Sequence, residues 1–280
     1  MHIISENSMI ADNIGKMVVA APYIAEHRKA GQFIILRIDE YGERIPLTIA
    51  DADPGKGTIT LYYQVVGKTT RQMQLLKEGD SIQDIAGPLG HPTDIKNYGT
   101  VVCIGGGIGI APVYPISAAM KDAGNRVINI IGARNKDILI LEDELKAIGD
   151  NFIVCTDDGS HGKKAFVTEA LQEVIDAEKV DLVVAVGPVP MMKAVSNMTS
   201  KLNIKTMVSL NTIMIDGTGM CGGCRVTVGG EKKFTCVDGP EFDGHQVDFD
   251  ELMVRLGTYK EEEKQCMDHF DHECQLHGME

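Results

Sequence analysis

The stretch that most constrains this chain is residues 215–225, Ile-Asp-Gly-Thr-Gly-Met-Cys-Gly-Gly-Cys-Arg, followed at a distance by Cys236. Thiols, a carboxylate and glycines in this density have no use in an apolar core. Thiolates bind soft iron or zinc, and Gly217, Gly219, Gly222 and Gly223 let the backbone wind closely around an object that side chains would hit. Bare N–H groups in such a loop can also donate to inorganic sulfides. The stretch reads as a metal site with Asp216, Cys221, Cys224 and Cys236 as candidate ligands. A zinc-stabilised, non-enzymatic binding module is the competing reading of C-x2-C. It lacks the second C-x2-C pair and would have to recruit Asp216 or His245. Buried free cysteines are a third reading, disfavoured because no apolar run surrounds them.

A chain of 280 residues, 44% hydrophobic and 24% charged, has room for roughly two domains with separate cores. The first sixteen residues show neither a basic n-region nor an apolar h-region, and no apolar run approaches the ~18 residues of a membrane span. A cytoplasmic location is therefore expected, where clustered cysteines mean metal or redox work more than disulfides. Much of the net charge of −13 sits in residues 238–280, which carry thirteen acidic residues against Arg255, Lys260 and Lys264. That balance disfavours nucleic acid and suits either a solubilising end or a basic partner protein.

Residues 1–97 alternate short β-like runs (16–20, 32–38 and 57–66) with Gly, Pro and Asp turns, which predicts a small antiparallel β-barrel. A helical pattern covers residues 70–76. Two features here suggest a flavin. Arg44-Ile45-Pro46-Leu47-Thr48 sets a bidentate cation and a hydroxyl four residues apart on a Pro-stiffened strand, suited to a pyrophosphate and a ring nitrogen. Gly67-Lys68-Thr69-Thr70 opens the helical segment, where free N–H groups favour phosphate.

From residue 98 the pattern changes to buried-strand runs at 100–104, 127–131, 152–156 and 182–187 with helical segments between them. This predicts a doubly wound parallel α/β domain over 98–210. Gly105-Gly106-Gly107-Ile108-Gly109-Ile110 does not fit G-x-G-x-x-G, because Ile110 takes the last glycine's place, yet it lies after the first strand where a dinucleotide can approach. Gly187-Pro188-Val189-Pro190-Met191-Met192 ends a later strand at the same edge, its methionines readable as core or as site. Cys103 and Cys155 sit inside strands as core residues. Residues 211–280 form the third region: the metal loop, a hairpin about Gly229-Gly230, a helical segment over 252–264, and an end bearing Cys266, His269, His272 and Cys274. That end reads as a frayed terminus more readily than as a second metal site.

In this order, barrel, glycine loop, G-P-x-P-M-M and cysteine loop resemble the ferredoxin reductase-like electron-transfer subunits over nearly the full chain. The shared motifs are Arg44-x-Pro46-Leu47-Thr48, the loop Gly67 to Thr70, Gly106-Gly107-Ile108-Gly109-Ile110-Ala111-Pro112, and Thr156-Asp157-Asp158-Gly159-Ser160 with Gly162. The dihydroorotate dehydrogenase branch is expected to carry a fourth cysteine ligand and a Cys before the Gly-Pro pair. Here Asp216 and Val186 stand there, which resembles the branch of NADH-dependent reduced ferredoxin:NADP oxidoreductase small subunits. Gly-Lys-Thr-Thr departs from the G-x-G-T of much of the family.

The resemblance implies FAD held by Arg44, Pro46, Leu47, Thr48, Gly67, Lys68, Thr69 and Thr70, with Thr48 at the flavin edge where hydride is exchanged. It implies a nicotinamide cofactor held by Gly106, Gly107, Gly109, Arg134, Asp157, Asp158, Gly187, Pro188 and Met191, and a [2Fe-2S] cluster on Asp216, Cys221, Cys224 and Cys236. Arg134 and Lys136 lean towards NADP on local charge, whereas the resemblance points to NAD(H). The implied partner is a larger subunit carrying flavin and [4Fe-4S] clusters, through which ferredoxin is reached. The implied activity is the electron-transfer half of a flavin-based bifurcating oxidoreductase, with the dihydroorotate dehydrogenase electron-transfer subunit as the alternative.

Overall fold

The structure, a computed structural model, describes residues 1–277, with side chains through 270 and at 272. The first region holds β1 (His2–Ala11), β2 (Ile14–Ala20), α1 (Pro22–His27), β3 (Phe33–Arg37), β4 (Ile45–Thr48), β5 (Asp51–Asp53), β6 (Thr58–Gln64), α2 (Lys68–Leu75), β7 (Ser81–Ile82) and β8 (Asp84–Leu89). The strands form two antiparallel sheets, ordered β5-β6-β2-β1-β7 and β4-β3-β8, the barrel expected from the sequence. Side chains alternate across each strand. On β6, Ile59, Leu61 and Tyr63 therefore enter the barrel core, while Tyr62 and Gln64 face outward.

The second region continues with β9 (Thr100–Gly106), α3 (Ile110–Asp122), β10 (Arg126–Ala133), α4 (Glu142–Ile148), β11 (Asn151–Thr156), β12 (Lys163–Lys164), α5 (Val167–Ala177), β13 (Leu182–Val186), α6 (Val189–Lys201) and β14 (Lys205–Ser209). These strands are parallel, and β9 and β13 are apolar along almost their whole length because both sheet faces are covered. Residues of α3 and α4 pack on one face, those of α5 and α6 on the other. The chain runs outward from β9 through β10 and β11, then crosses back to β13 and β14. The strand order β12-β11-β10-β9-β13-β14 thus reverses between β9 and β13, and the crevice at their carboxyl ends is where such sheets bind ligands. The barrel is fused to this layer: Ile14 and Ala30 join its core, and Asp12 N–H donates to the Asp137 carbonyl at 2.9 Å.

The remaining chain forms β15 (Arg225–Val228), β16 (Glu231–Phe234), α7 (Thr235–Asp238), β17 (Glu241–Asp243), α8 (Phe249–Leu256) and α9 (Lys260–His277). β15 and β16 are the expected hairpin, turning through Gly229 and Gly230 with φ of 61° and 79°, the twist two-residue hairpins favour. β17 adds to the large sheet as an antiparallel edge strand beside β14, and α8 packs on α6, so part of 211–280 is built into the α/β layer. The helical pattern expected over 252–264 is split at Gly257. The end expected to fray is instead helix α9, which lies against α2 of the barrel with Phe270 buried. Cys266 and His272 are exposed on it, His269 is engaged, and the side chain of Cys274 lies outside the described residues.

Candidate functional site

A cleft of about 1000 Å³ opens between the barrel and the α/β layer at the strand-order reversal. From the barrel come Phe33, Pro46, Leu47, Thr48, Tyr62 and Gln64. The opposite wall includes Gly106, Gly107, Gly109, Arg134, Asp157, Gly187, Pro188 and Met191. Sequence reading found most of that second wall and missed Phe33, Tyr62 and Gln64. The signal for the last two was available: they are the outward positions of a strand whose alternate residues are core. Tyr62's phenol is pushed up to about 12, first by burial and then by the charge of Glu144, so it is a neutral O–H donor near pH 7. Met191 and Met192, readable either way from sequence, divide: Met192 is core and Met191 lines the cleft. Cys103 and Cys155 are buried in their strands, and burial pushes the Cys103 thiol up to about 12.

The glycines after β9 have separate causes. A Cβ on Gly109 would stand 2.4 Å from the Val186 carbonyl oxygen and 2.7 Å from Gly187 Cα; one on Gly106 would stand 2.4 Å from Met191 Sδ. These two let the β9 and β13 turns pack together. Gly107 has φ of +56° and open space around it, so its backbone faces the cleft unshielded.

Arg44, Lys68 and the α2 N-terminus lie outside this cleft lining. Thr70 Oγ1 accepts from the N–H groups of Val66 and Gly67 at 3.0 and 3.1 Å, which fixes the start of α2. Thr69 donates to Glu43 Oε2 at 3.1 Å and is buried, while Arg44 is exposed beside it. The first-turn N–H groups of Lys68, Thr69 and Thr70 have no helical acceptor, the arrangement that favours a phosphate. At the far edge, Asp157 and Asp158 donate their N–H groups to Ala133 and Arg134 carbonyls at 3.1 and 3.2 Å, which ties Arg134 to the acidic pair. Asp158 is held below the usual carboxylate range by the Ser160 hydroxyl and N–H, and it does not line the cleft.

The cysteine loop begins just past Met214, itself in the cleft wall. Gly217, Gly219 and Gly222 all have positive φ, 74°, 83° and 67°, giving the close winding expected. Asp216 accepts from the N–H groups of Thr218 at 2.8 Å and Cys221 at 2.6 Å, and these donors, Thr218 first, hold its carboxyl below the ordinary range. The Thr235 N–H donates to the Cys224 carbonyl at 3.0 Å, so the hairpin brings the Sγ atoms of Cys224 and Cys236 to 3.2 Å, both buried. Burial and the neighbouring Cys224 thiol push Cys236 up to about 12. Gly223 N–H points at Cys221 Sγ, 3.4 Å away. Among the described residues no three His, Cys, Asp or Glu side chains stand close enough to hold one metal ion. The four candidate ligands form two pairs, Asp216 with Cys221 and Cys224 with Cys236. Three thiols and one carboxylate in two pairs, with N–H groups aimed at sulfur, fit a two-iron cluster, whose ligands are divided between its irons.

Comparison with known proteins agrees with this division of the chain. A family model for the iron-sulfur cluster binding domain of dihydroorotate dehydrogenase B matches residues 211–248, which favours iron-sulfur over zinc, and one for an oxidoreductase NAD-binding domain matches residues 103–197. The chain is 49% identical over 261 residues to the dihydroorotate dehydrogenase B (NAD(+)) electron transfer subunit homolog of Thermotoga maritima, covering 93% of this chain and 92% of the relative. It is 33% identical over 258 residues to the corresponding electron transfer subunit of Fusobacterium nucleatum, covering 88% and 97%. A chain from the structure of NADH-dependent reduced ferredoxin-NADP oxidoreductase, described for flavin-based electron bifurcation, superposes with a TM-score of 0.91 at 47% identity, covering 96% and 98%. An Amycolatopsis cytochrome P450 reductase shares the fold alone, with a TM-score of 0.61 at 22% identity over 72% of this chain and 66% of that one. FAD, a [2Fe-2S] cluster and NAD(H), the cofactors expected from the sequence, are the set this similarity supports. No helix among the described residues is long and apolar enough to cross a membrane. The chain belongs to the ferredoxin reductase-like electron-transfer subunits, the family of the dihydroorotate dehydrogenase B electron transfer subunit.

Proposed function

We propose that this chain is the electron-transfer subunit of a flavin-based bifurcating NADH-dependent ferredoxin:NADP oxidoreductase. The observation that carries the reading is Asp216, a carboxylate built into the cysteine loop where the dihydroorotate branch is expected to hold a fourth thiolate. The 47% identity to the ferredoxin-NADP oxidoreductase chain supports it. When bound, a nicotinamide supplies two-electron hydride chemistry, a [2Fe-2S] cluster one-electron chemistry, and a flavin both.

The residues of this chain bind and orient. Thr48 of β4, with Tyr62 and Gln64 of β6, offers hydrogen-bonding groups to the flavin edge on the barrel side of the cleft. Arg44 and the loop Gly67, Lys68, Thr69 and Thr70 hold the FAD phosphates. Gly106, Gly107 and Gly109, with Gly187, Pro188 and Met191, form the nicotinamide wall and exclude water there. Arg134 and Asp157 hold the far end of the nicotinamide cofactor. Asp216, Cys221, Cys224 and Cys236 hold the cluster. No side-chain acid or base is required, because hydride exchange with a flavin proceeds through alignment alone.

The partner in this reading is a larger subunit with flavin and [4Fe-4S] clusters, which reaches ferredoxin and carries the bifurcating step. The second reading, the electron-transfer subunit of dihydroorotate dehydrogenase, is favoured by the family model over residues 211–248. Anaerobic capture of the chain with its native partner separates them. The proposal expects a flavin and [4Fe-4S] protein and NADP reduction that requires NADH and reduced ferredoxin together. Recovery of a dihydroorotate-oxidising flavoprotein, with orotate formed at the expense of NAD, replaces it with the second reading.

A further inference from the structure

Two arginines reach the backbone of the C-G-G-C loop from different elements. Arg225 Nη1 donates to the Gly222 carbonyl at 3.2 Å, and Arg255 Nη2 donates to the Gly223 carbonyl at 3.1 Å. Arg225 adjoins Cys224 in sequence, whereas Arg255 arrives from α8, thirty-two residues away. α8 is anchored on the α/β layer, through its packing on α6 and through the Lys193–Asp250 ion pair at 2.7 Å. Arg255 is partly buried, and neither arginine has a carboxylate partner among the described residues. Two guanidinium groups without a direct carboxylate partner among the described residues therefore stand at the loop whose thiolates would hold the cluster.

The geometry points to Arg255, assisted by Arg225, as the positioning residue of the cluster loop: it fixes the Gly223 peptide and places a permanent positive charge beside the thiolates, raising the cluster's reduction potential. This rests on assigning the cluster to Asp216, Cys221, Cys224 and Cys236. A peptide unit is rigid and planar, so holding the Gly223 carbonyl also sets the adjoining Cys224 N–H, on the far side of that same plane. Groups just outside the ligands orient them, and net charge around a cluster sets its potential. Guanidinium stays charged at every accessible pH, and reduction adds one negative charge, which a nearby cation favours.

The test uses the full chain purified anaerobically as wild type, Arg255→Met, Arg255→Lys and Arg225→Met. Iron, sulfide and FAD contents, visible circular dichroism and the cluster midpoint potential are measured for each. Arg255→Met is expected to lower the potential by the equivalent of a tenfold change in reduced-to-oxidised ratio, about 59 mV for one electron. Arg255→Lys is expected to recover most of that shift while keeping an altered dichroism spectrum, and Arg225→Met to shift the potential less. Loss of cluster from Arg255→Met with FAD content retained also supports the positioning role, and the Lys variant then reads the charge effect. A fully loaded Arg255→Met protein with wild-type potential and spectrum overturns the inference. Wild-type protein without a [2Fe-2S] spectrum overturns the site assignment beneath it.

Discussion

Gly106 and Gly109 in the turn after β9 and Gly222 in the loop before β15 are the same residue type for opposite reasons. At the first, Gly106 and Gly109 are required because neighbouring protein atoms leave no room, and the turn is locked between β9, β13 and α6. At the second, Gly222 has its nearest would-be contact at 3.7 Å, from Phe234, and is required by its φ of +67°. The first site is therefore part of the domain core, and damage there spreads through the fold. At Gly222 the second is a winding held by Asp216, two arginines and a hairpin, so damage at that position stays with the group it binds, whereas Gly217 of the same loop packs on Ile35 and Leu89 of the barrel.

Gly109→Ala should break the first site most severely. Its Cβ meets backbone atoms of Val186 and Gly187, which cannot swing aside, so an overpacking cost of about 1–3 kcal/mol is expected. The thermal unfolding midpoint of the full chain should drop, and NADH binding should fall with it. An unchanged midpoint would mean that the β9 and β13 turns are not in close contact.

Asp216→Ala attacks the second site without touching the first. It strips the acceptor from two N–H groups, worth about 0.5–1.5 kcal/mol each, within the loop. Iron and sulfide content should fall while FAD content and NADH binding stay at the wild-type level. Asp216→Cys should keep the cluster and shift its potential, since a thiolate replaces a harder oxygen donor. Wild-type content and potential in both variants would remove Asp216 from the ligand set. Gly222→Ala is the milder counterpart of Gly109→Ala. A left-handed backbone costs an alanine about 1–2 kcal/mol, but in open space the loop can yield, so partial cluster loss at an unchanged unfolding midpoint is expected. Equal midpoint shifts for Gly109→Ala and Gly222→Ala would abolish the distinction between the two sites.

What sequence reveals follows the same division. The barrel, the parallel layer, both glycine segments and the Gly229-Gly230 hairpin are written in local patterns of alternation, apolar runs and turn residues. Alternation marks Tyr62 and Gln64 as outward but not what they meet, and Phe33 is not marked at all, because its strand is apolar on both faces. β17 escaped because three residues, Glu241-Phe242-Asp243, carry no periodicity, and only pairing with β14 makes them a strand. Arg255 reads in sequence merely as a charge in an acidic tail; nothing there joins it to a loop thirty-two residues earlier. α9 is not legible in sequence because its many charges suggest a solvated end, whereas its packing against α2 joins two ends of the chain. Each omission is a long-range contact.

The smallest predicted effect lies at the seam between the two sites. Glu241 on β17 follows Pro240, which lines the cleft, and accepts from the Thr93 hydroxyl of the barrel-to-layer linker at 2.5 Å. Burial pushes its carboxyl up to about 7, with the Thr93 hydrogen bond opposing and the charge of Asp94 adding to the rise. Between its ordinary value of 4.5 and about 7, the folded chain holds a proton that the unfolded chain has released. This group's stabilising contribution is therefore complete below pH 4.5 and is lost as pH rises through 7. Glu241→Gln keeps an acceptor for Thr93 and removes the charge. Thermal unfolding from pH 4 to 8.5 should show a shallower decline for Glu241→Gln than for wild type, with the curves separating between pH 4.5 and about 7 and keeping a constant offset above it. Parallel curves would place Glu241 in contact with water, and the seam joining nicotinamide wall to cluster loop would then be wetter than its packing indicates.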